Sequence, residues 1–290
     1  MANRAHDGMD RDEARRVELG EFLRSRRARL QPEAAHLVRS GRRRTPGLRR
    51  EEVAQLAGIS AAWYTWLEQG REIRVSPEVL HRIADALQLT PEDRRYLLLL
   101  ADRAPATGDL PAHETVPPKL RRVLQAMRDV PACVIGRYAD VLAASPALQV
   151  LLPPLHLIPG EKRNILVYLF TDREVRARLS DWESMARECL AHFRAGYAAQ
   201  VGDPRVESLV RHLLEASPEF AEWWGRYELD PGPAGPVMLE HPEAGMLVLD
   251  HVLLSISESG GLTLGMLSPY DTATRHRIRR LVSASVRQAG

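Results

Sequence analysis

Residues 50–71 read Arg50-Glu51-Glu52-Val53-Ala54-Gln55-Leu56-Ala57-Gly58-Ile59-Ser60-Ala61-Ala62-Trp63-Tyr64-Thr65-Trp66-Leu67-Glu68-Gln69-Gly70-Arg71. The pattern predicts a helix, a tight turn and a second helix. Ala54 supplies the small side chain that two crossing helices need. Gly58 stands where the first helix must end in a left-handed residue, a conformation that glycine adopts at least cost. Ser60 can accept a hydrogen bond from the free N–H groups that open the second helix. Val53, Leu56, Ile59, Tyr64 and Leu67 supply a shared apolar seam. This is the grammar of a helix-turn-helix, whose second helix lies in the DNA major groove.

A helical hairpin can carry Ala-x-x-x-Gly by chance, so the flanks decide. Ser76-Pro77-Glu78 opens a further helix with a cap, a first-turn proline and an acid at the positive helix end. Val79, Leu80, Ile83, Ala84 and Leu87 then recur on one face. Thr90-Pro91-Glu92-Asp93 starts another helix, with Tyr96, Leu97, Leu99 and Leu100 turned inward. Upstream, residues 17–30 carry Leu19, Phe22, Leu23 and Leu30 at similar spacing. The expectation is an all-α module of five helices with the hairpin second and third.

Charge supports the same module. The chain has 290 residues and a net charge of +2. Residues 1–104 hold 20 arginines against 16 acids, and the remainder holds 20 bases against 22 acids. The basic excess is therefore local to the predicted DNA module. From Phe22 to Arg50 there are ten arginines and one acid, Glu33. Such a run beside a groove-reading helix predicts a phosphate-binding skirt that includes Arg39, Arg42, Arg43, Arg44 and Arg49. Tyr64 and Leu67 are expected to face the core. Ser60, Ala61, Ala62, Trp63, Thr65, Trp66, Gln69 and Arg71 complete the candidate DNA-binding set.

The helix order resembles the phage-repressor type of helix-turn-helix, the xenobiotic-response-element regulators. The runs Arg43-Arg44-Thr45-Pro46-Gly47-Leu48-Arg49-Arg50-Glu51-Glu52-Val53-Ala54 and Trp63-Tyr64-Thr65-Trp66-Leu67-Glu68-Gln69-Gly70-Arg71 resemble the actinobacterial MmyB-like regulators more closely. The loop holding Arg39 and Arg42–Arg44 departs from the minimal repressor pattern.

Residues 105–118 are rich in proline, glycine and small polar residues and read as a linker. The domain expectation is thus a DNA-binding domain at 1–104 and a second domain at 119–285. In the second, a short helix over 119–129 precedes strands at 132–137 and 140–144, with a turn at Tyr138-Ala139. Helices follow at 174–178, 181–200 and 204–216, and one starts at Ser217-Pro218. Trp182, Met185, Ala186, Leu190, Phe193 and Tyr197 form one stripe. Strands return at 237–241, 245–258 and 261–267. That sequence of elements predicts an α+β domain with one antiparallel sheet.

This half also resembles the ligand-binding part of the MmyB-like family, which implies a PAS-like fold. The matching residues are Arg163-Asn164-Ile165-Leu166, Phe170, Asp181-Trp182, Phe193-Arg194-Ala195, Asp203-Pro204-Arg205, Ser217-Pro218-Glu219-Phe220, Trp224 and His241-Pro242-Glu243-Ala244-Gly245. The family tends to end its second strand in Trp-Asn; Ala144-Ser145 stands here, and Ser145 is a shorter substitute. The resemblance implies a lipophilic, fatty-acid-like effector with a polar head. Ser145, Arg163, Asn164, Arg194 and His241 are candidate head-group partners, and Trp182, Phe193, Trp224 and Met246 candidate walls. Plain core packing for the aromatics, a structural salt bridge for Arg163 and Arg194, and a turn role for His241 are the competing readings.

Other chemistry finds little support. His241-Pro242-Glu243 lacks the Pro-Cys-x-x-Cys partner of zinc deaminases. There is no His-Glu-x-x-His, no P-loop and no Gly-x-Ser-x-Gly. Cys133 and Cys189 are too few for a disulfide framework or zinc site. No run of about 20 apolar residues suggests a membrane span. The expectation is a cytoplasmic homodimeric regulator without catalytic activity or resident cofactor. Its partners would be an operator in duplex DNA and a small-molecule effector. The alternative is a constitutive regulator whose second domain serves only dimerisation or partner recruitment.

Overall fold

Apolar residues at helical spacing make α1 (Arg11–Arg29) the spine of the N-terminal helices, with Ala14, Leu19, Phe22 and Leu23 buried. The computed structural model of the chain describes residues 10–35, 47–101, 114–152, 163–230, 235–256 and 261–289. α2 (Arg50–Ala57) opens with the Glu52 carboxylate accepting from the Arg49 N–H at 2.7 Å. It ends at Gly58, whose φ of 65° is left-handed. α3 (Ala61–Glu68) is capped by Ser60 Oγ, which accepts from the Trp63 N–H at 3.2 Å. Ser76 likewise caps α4 (Pro77–Ala86), and Thr90 Oγ1 accepts from the Asp93 N–H at the start of α5 (Pro91–Ala101). The five expected helices are present in the expected order.

Two seam assignments need correction. Leu56 is 40% exposed, and Ala57 takes its place at 1%. On a two-turn helix the inward set is Val53, Ala54 and Ala57, which leaves Leu56 rotated outward. Leu99 is 37% exposed, because the inward face of α5 runs Asp93, Tyr96, Leu97, Leu100. That set follows the i, i+3, i+4, i+7 rule, which excludes position 99.

The remaining elements are α6 (Pro118–Ala126), β1 (Ala132–Ile135), β2 (Val141–Ala144) and α7 (Pro146–Leu151), followed by α8 (Ile165–Thr171), α9 (Arg173–Arg178) and α10 (Trp182–Tyr197). Next come α11 (Pro204–Ala216), α12 (Pro218–Arg226), β3 (Val237–His241), β4 (Gly245–Ser255), β5 (Thr263–Pro269) and α13 (Thr272–Ala289). The five strands form one antiparallel sheet in the order β2-β1-β5-β4-β3. β1 lies inside the sheet and all four of its residues are buried. β3 alternates, with Val237, Leu239 and His241 buried and Met238 and Glu240 exposed. Val116, Leu124, Ala132, Val134 and Leu262 form an apolar cluster that includes one residue of α6 and two of β1. α7, α8 and α13 were not expected. α13 packs on α7 and β4 through a buried stripe that includes Thr274, Ile278 and Val282.

The chain divides into two compact units. The first comprises Met1–Gly108, Arg194–Arg211 and Glu222–Asp230. The second comprises Asp109–Phe193, His212–Ala221 and Pro231–Gly290. The first unit is therefore discontinuous in sequence, and its core shows why. Arg194, 1% exposed, places Nη1 3.3 Å from Glu18 Oε1 of α1. Tyr96 of α5 donates to the same Glu18 oxygen at 2.7 Å. The Arg194 guanidinium lies 3.5 Å from the Trp224 ring centre and 4.2 Å from that of Tyr227. Arg26 pairs with Asp93 at 2.6 Å and also donates to the Tyr227 carbonyl. Burial pushes the Glu18 carboxyl above its ordinary value, and the charge of Arg194 and the Tyr96 hydroxyl offset this only in part.

Candidate functional site

The outer side of α3 is built from its inner side. Tyr64, Leu67 and Glu68 are all buried, at 0%, 3% and 1% exposure. Glu68 is held by Arg27 at 2.5 Å and by Arg50 at 2.7 Å. Burial pushes its carboxyl up, but the hydrogen bonds and charges of Arg27 and Arg50 more than offset this and hold it below the ordinary value. A Cβ on Gly20 would lie 2.4 Å from the Glu68 carbonyl oxygen, so α1 and the end of α3 touch at that point. These contacts fix the rotation of α3 about its axis.

With that rotation, Ala62 and Trp66 are exposed, and Ala61, Trp63 and Thr65 are half-buried. Ser60, Gln69, Arg71 and Arg49 are also exposed. The Arg71 guanidinium lies 5.8 Å from the Trp66 ring centre. The Thr65 hydroxyl donates to the Ala61 carbonyl at 2.8 Å. Ser60 Oγ serves the cap.

The arginine skirt is smaller than expected. Arg26 and Arg27 are tied inward to Asp93 and Glu68, Arg50 is tied to Glu68, and Arg24 donates to the Glu68 carbonyl at 3.2 Å. The buried acids that claim them lie far away in sequence, so a local charge count could not see them. Arg39, Arg42, Arg43 and Arg44 lie outside the described residues.

Most of the polar ligand candidates are engaged with backbone. Ser145 is fully buried; its Oγ accepts from the Ala132 and Leu148 N–H groups and donates to the Val130 carbonyl. Asn164 caps α8 through Oδ1, and its Nδ2 donates to the Tyr138 carbonyl at 2.6 Å and to Asp140 Oδ1 at 3.2 Å. The carbonyl of the half-buried Arg163 accepts from the Val141 N–H at 2.7 Å. His241 Nδ1 accepts from the Glu243 and Ala244 N–H groups in the turn after β3. Nε2 must then carry the proton it directs at the Val150 carbonyl, 3.2 Å away. Burial, chiefly, lowers the His241 pKa, which suits this neutral form.

Among the apolar candidates, Trp182 and Phe193 are buried and Met246 is 41% exposed. Trp182 Nε1 donates to the Leu169 carbonyl at 2.7 Å, its ring meets Phe170 edge-on, and Arg176 lies over it. Arg194 and Trp224 meet each other in the first unit, in the Glu18 cluster described above.

A model of the MmyB-like transcription regulator ligand binding domain matches residues 116–281, more than half of the chain. The chain belongs to the MmyB-like transcription regulators. A helix-turn-helix domain model matches residues 18–97. Together they make this MmyB-like regulator a DNA-binding transcription regulator with a ligand-sensing domain. No curated protein was found to match the chain. No helix among the described residues is long and apolar enough to cross a membrane.

The ligand-binding domain of this MmyB-like regulator also holds a polar constellation that the sequence reading missed. His192 of α10 contacts Thr263 Oγ1 of β5 through Nε2 at 2.9 Å. His251 Nδ1 of β4 lies 2.8 Å from Glu188 Oε2 of α10. Burial, with the neighbouring His251, lowers the His192 pKa, which favours a neutral ring. Residues 188 and 192 are one helical turn apart, a signal the sequence does contain; their strand partners are not predictable from it. Cys133 and Cys189 are both buried, and burial pushes the Cys133 thiol up to about 12, which makes it a poor nucleophile.

Proposed function

We propose that the protein is a one-component regulator in which α3 reads an operator and the C-terminal domain senses a small lipophilic acid of fatty-acid type. The observation that carries the first half is the outer side of α3. Ala62 and Trp66 are exposed there while Tyr64, Leu67 and Glu68 lock the opposite side. The methyl groups of Ala61, Ala62 and Thr65 suit thymine methyls, since the Thr65 hydroxyl is already engaged. Much of the specificity then comes from DNA shape. Arg49 and Arg71, with Arg42, Arg43 and Arg44, hold phosphates and set the register.

The effector has an apolar body and a polar head. Trp182 and Phe193 wall the body. Ser145, Asn164 and His241 are committed to backbone, so the His192–Thr263 pair is the better head-group partner in the sheet domain. The regulator works as a homodimer on two half-sites, and the exposed Leu99 of α5 belongs to the dimer face. It acts in the cytoplasm, by binding alone, with no resident cofactor.

The test is operator affinity in a gel-shift assay, for the wild type and Ala62→Glu, with and without saturating laurate. Ala62→Glu puts a carboxylate against the groove and should abolish binding with the fold intact. Laurate should shift wild-type affinity about 5–150-fold, the usual range of coupling between sites. Normal binding by Ala62→Glu would sink the placement of α3. Equal affinities with and without laurate would instead leave a constitutive regulator whose second domain serves dimerisation or recruitment.

A further inference from the structure

The C-terminal helix α13, Thr272–Ala289, carries Arg275, Arg277, Arg279, Arg280 and Arg287, one histidine and no acid. It does so in a half of the chain whose acids outnumber its bases. α13 thus holds five of the 20 basic residues of that half and none of its acids. Part of it is structural. Arg279 pairs with Asp129 at 2.7 Å, Arg275 approaches the same carboxylate at 3.8 Å, and Arg277 donates to the Met246 carbonyl.

His276, Arg280 and Arg287 are different. All three are exposed, and no side-chain hydrogen bond or ion pair joins them to a described residue. Their spacing of four and seven residues puts them on one stripe of the helix, with Ser283 between. The stripe lines a groove of about 510 Å³ whose other wall is the turn at Glu243 and Ala244. Glu243 is the one acid among the described residues of that lining.

We propose that this stripe binds the phosphate backbone of DNA flanking the operator, as a second contact outside the helix-turn-helix. The proposal rests on the regulator reading above. Its geometry favours a linear polyanion over a single small anion. The eleven residue steps of helix from position 276 to 287 span about 16 Å. A nucleic-acid strand advances about 3.4 Å per phosphate, so several phosphates pass along such a stripe. Exposed arginines release counterions when they meet phosphates and read no sequence while doing so. The contact therefore adds affinity and salt dependence without changing the operator preferred.

The experiment measures the log–log salt slope of binding for the full chain on two duplexes. One is the minimal operator and the other is the same operator extended at both ends. The extended duplex should give the steeper slope. Arg280→Gln with Arg287→Gln should reduce that slope by about 2, at roughly 0.9 per phosphate contact. On the minimal duplex the variant should match the wild type within about twofold. Both side chains are exposed and without a partner among the described residues, and a melting curve shows whether the variant folds. Arg280→Glu with Arg287→Glu should lower the extended-duplex slope further. Equal slopes for wild type and variant on the extended duplex, with operator binding intact, would overturn the proposal alone. A wild type that binds no operator would overturn the regulator reading beneath it.

Discussion

Glu68 decides more about the DNA-binding face than any residue on that face. It is one of the few charged side chains buried in the first unit, and both of its cationic partners come from other helices. Arg27 reaches it from α1 and Arg50 from the first turn of α2, so a single carboxylate ties three helices together. Glu68→Gln keeps the shape but removes the charge. The expected loss is about 2–3 kcal/mol at neutral pH, the scale of hydrogen bonds to charged groups. The sign with pH follows from the lowered pKa. The folded state holds the proton less tightly than the unfolded chain, whose value is near 4.5. The stabilisation is present above that value and disappears as pH falls through the lower folded value. The gap between wild type and Glu68→Gln in urea melts should therefore close in acid. A gap that stays constant down to pH values well below 4.5 would show that the charge is not the stabilising feature.

Among the helices, α1 and the end of α3 come into close backbone contact at Gly20. An added methyl there meets backbone, which cannot move aside as a flexible side chain can. Gly20→Ala gains helix propensity on paper, about 1 kcal/mol. It should nevertheless destabilise by about 1–3 kcal/mol through overpacking. The measurement is a thermal melt with operator binding alongside, because the same shift would tilt α3. A stabilised Gly20→Ala would mean that the two helices are not in contact there. The elements also show which parts of the fold were legible in advance. Gly58, Ser60, Ser76, Thr90 and Ser217 mark helix ends by chemistry confined to a few neighbouring residues, and each does what its local pattern implies. The strand alternation in β3 is local too. The short helices α7 and α8 were missed because six or seven residues carry too little periodicity to read. α13 was missed for another reason: its arginines dilute the apolar stripe of Ile278 and Val282 to a weak signal. The fate of Arg26, Arg27 and Arg50 was illegible because their partners Asp93 and Glu68 are brought near only by the fold. The same holds for His192 with Thr263 and His251 with Glu188, each paired across more than sixty positions.

On the scale of the molecule, the first unit takes part of its core from residues beyond position 193. Glu18 of α1 is buried, and Arg194 is its one cationic partner among the described residues. Removing one member of a buried pair costs about 3–5 kcal/mol, a large share of the stability of an ordinary domain. Tyr227 adds an edge-on contact with Phe22, and its carbonyl receives Arg26. This has a consequence in time. Domains usually fold in the order in which they leave the ribosome, at about 5–20 residues per second. The helices that would touch DNA are complete by Ala101, but their core is not complete until Asp230 has been made. The interval is on the order of 6–25 seconds. Stalled nascent chains should therefore show protease protection of α1 only when the stall lies beyond residue 230, and protection at residue 110 would contradict this. A regulator still being translated would thereby be kept from an operator until more than half of its second unit has been made.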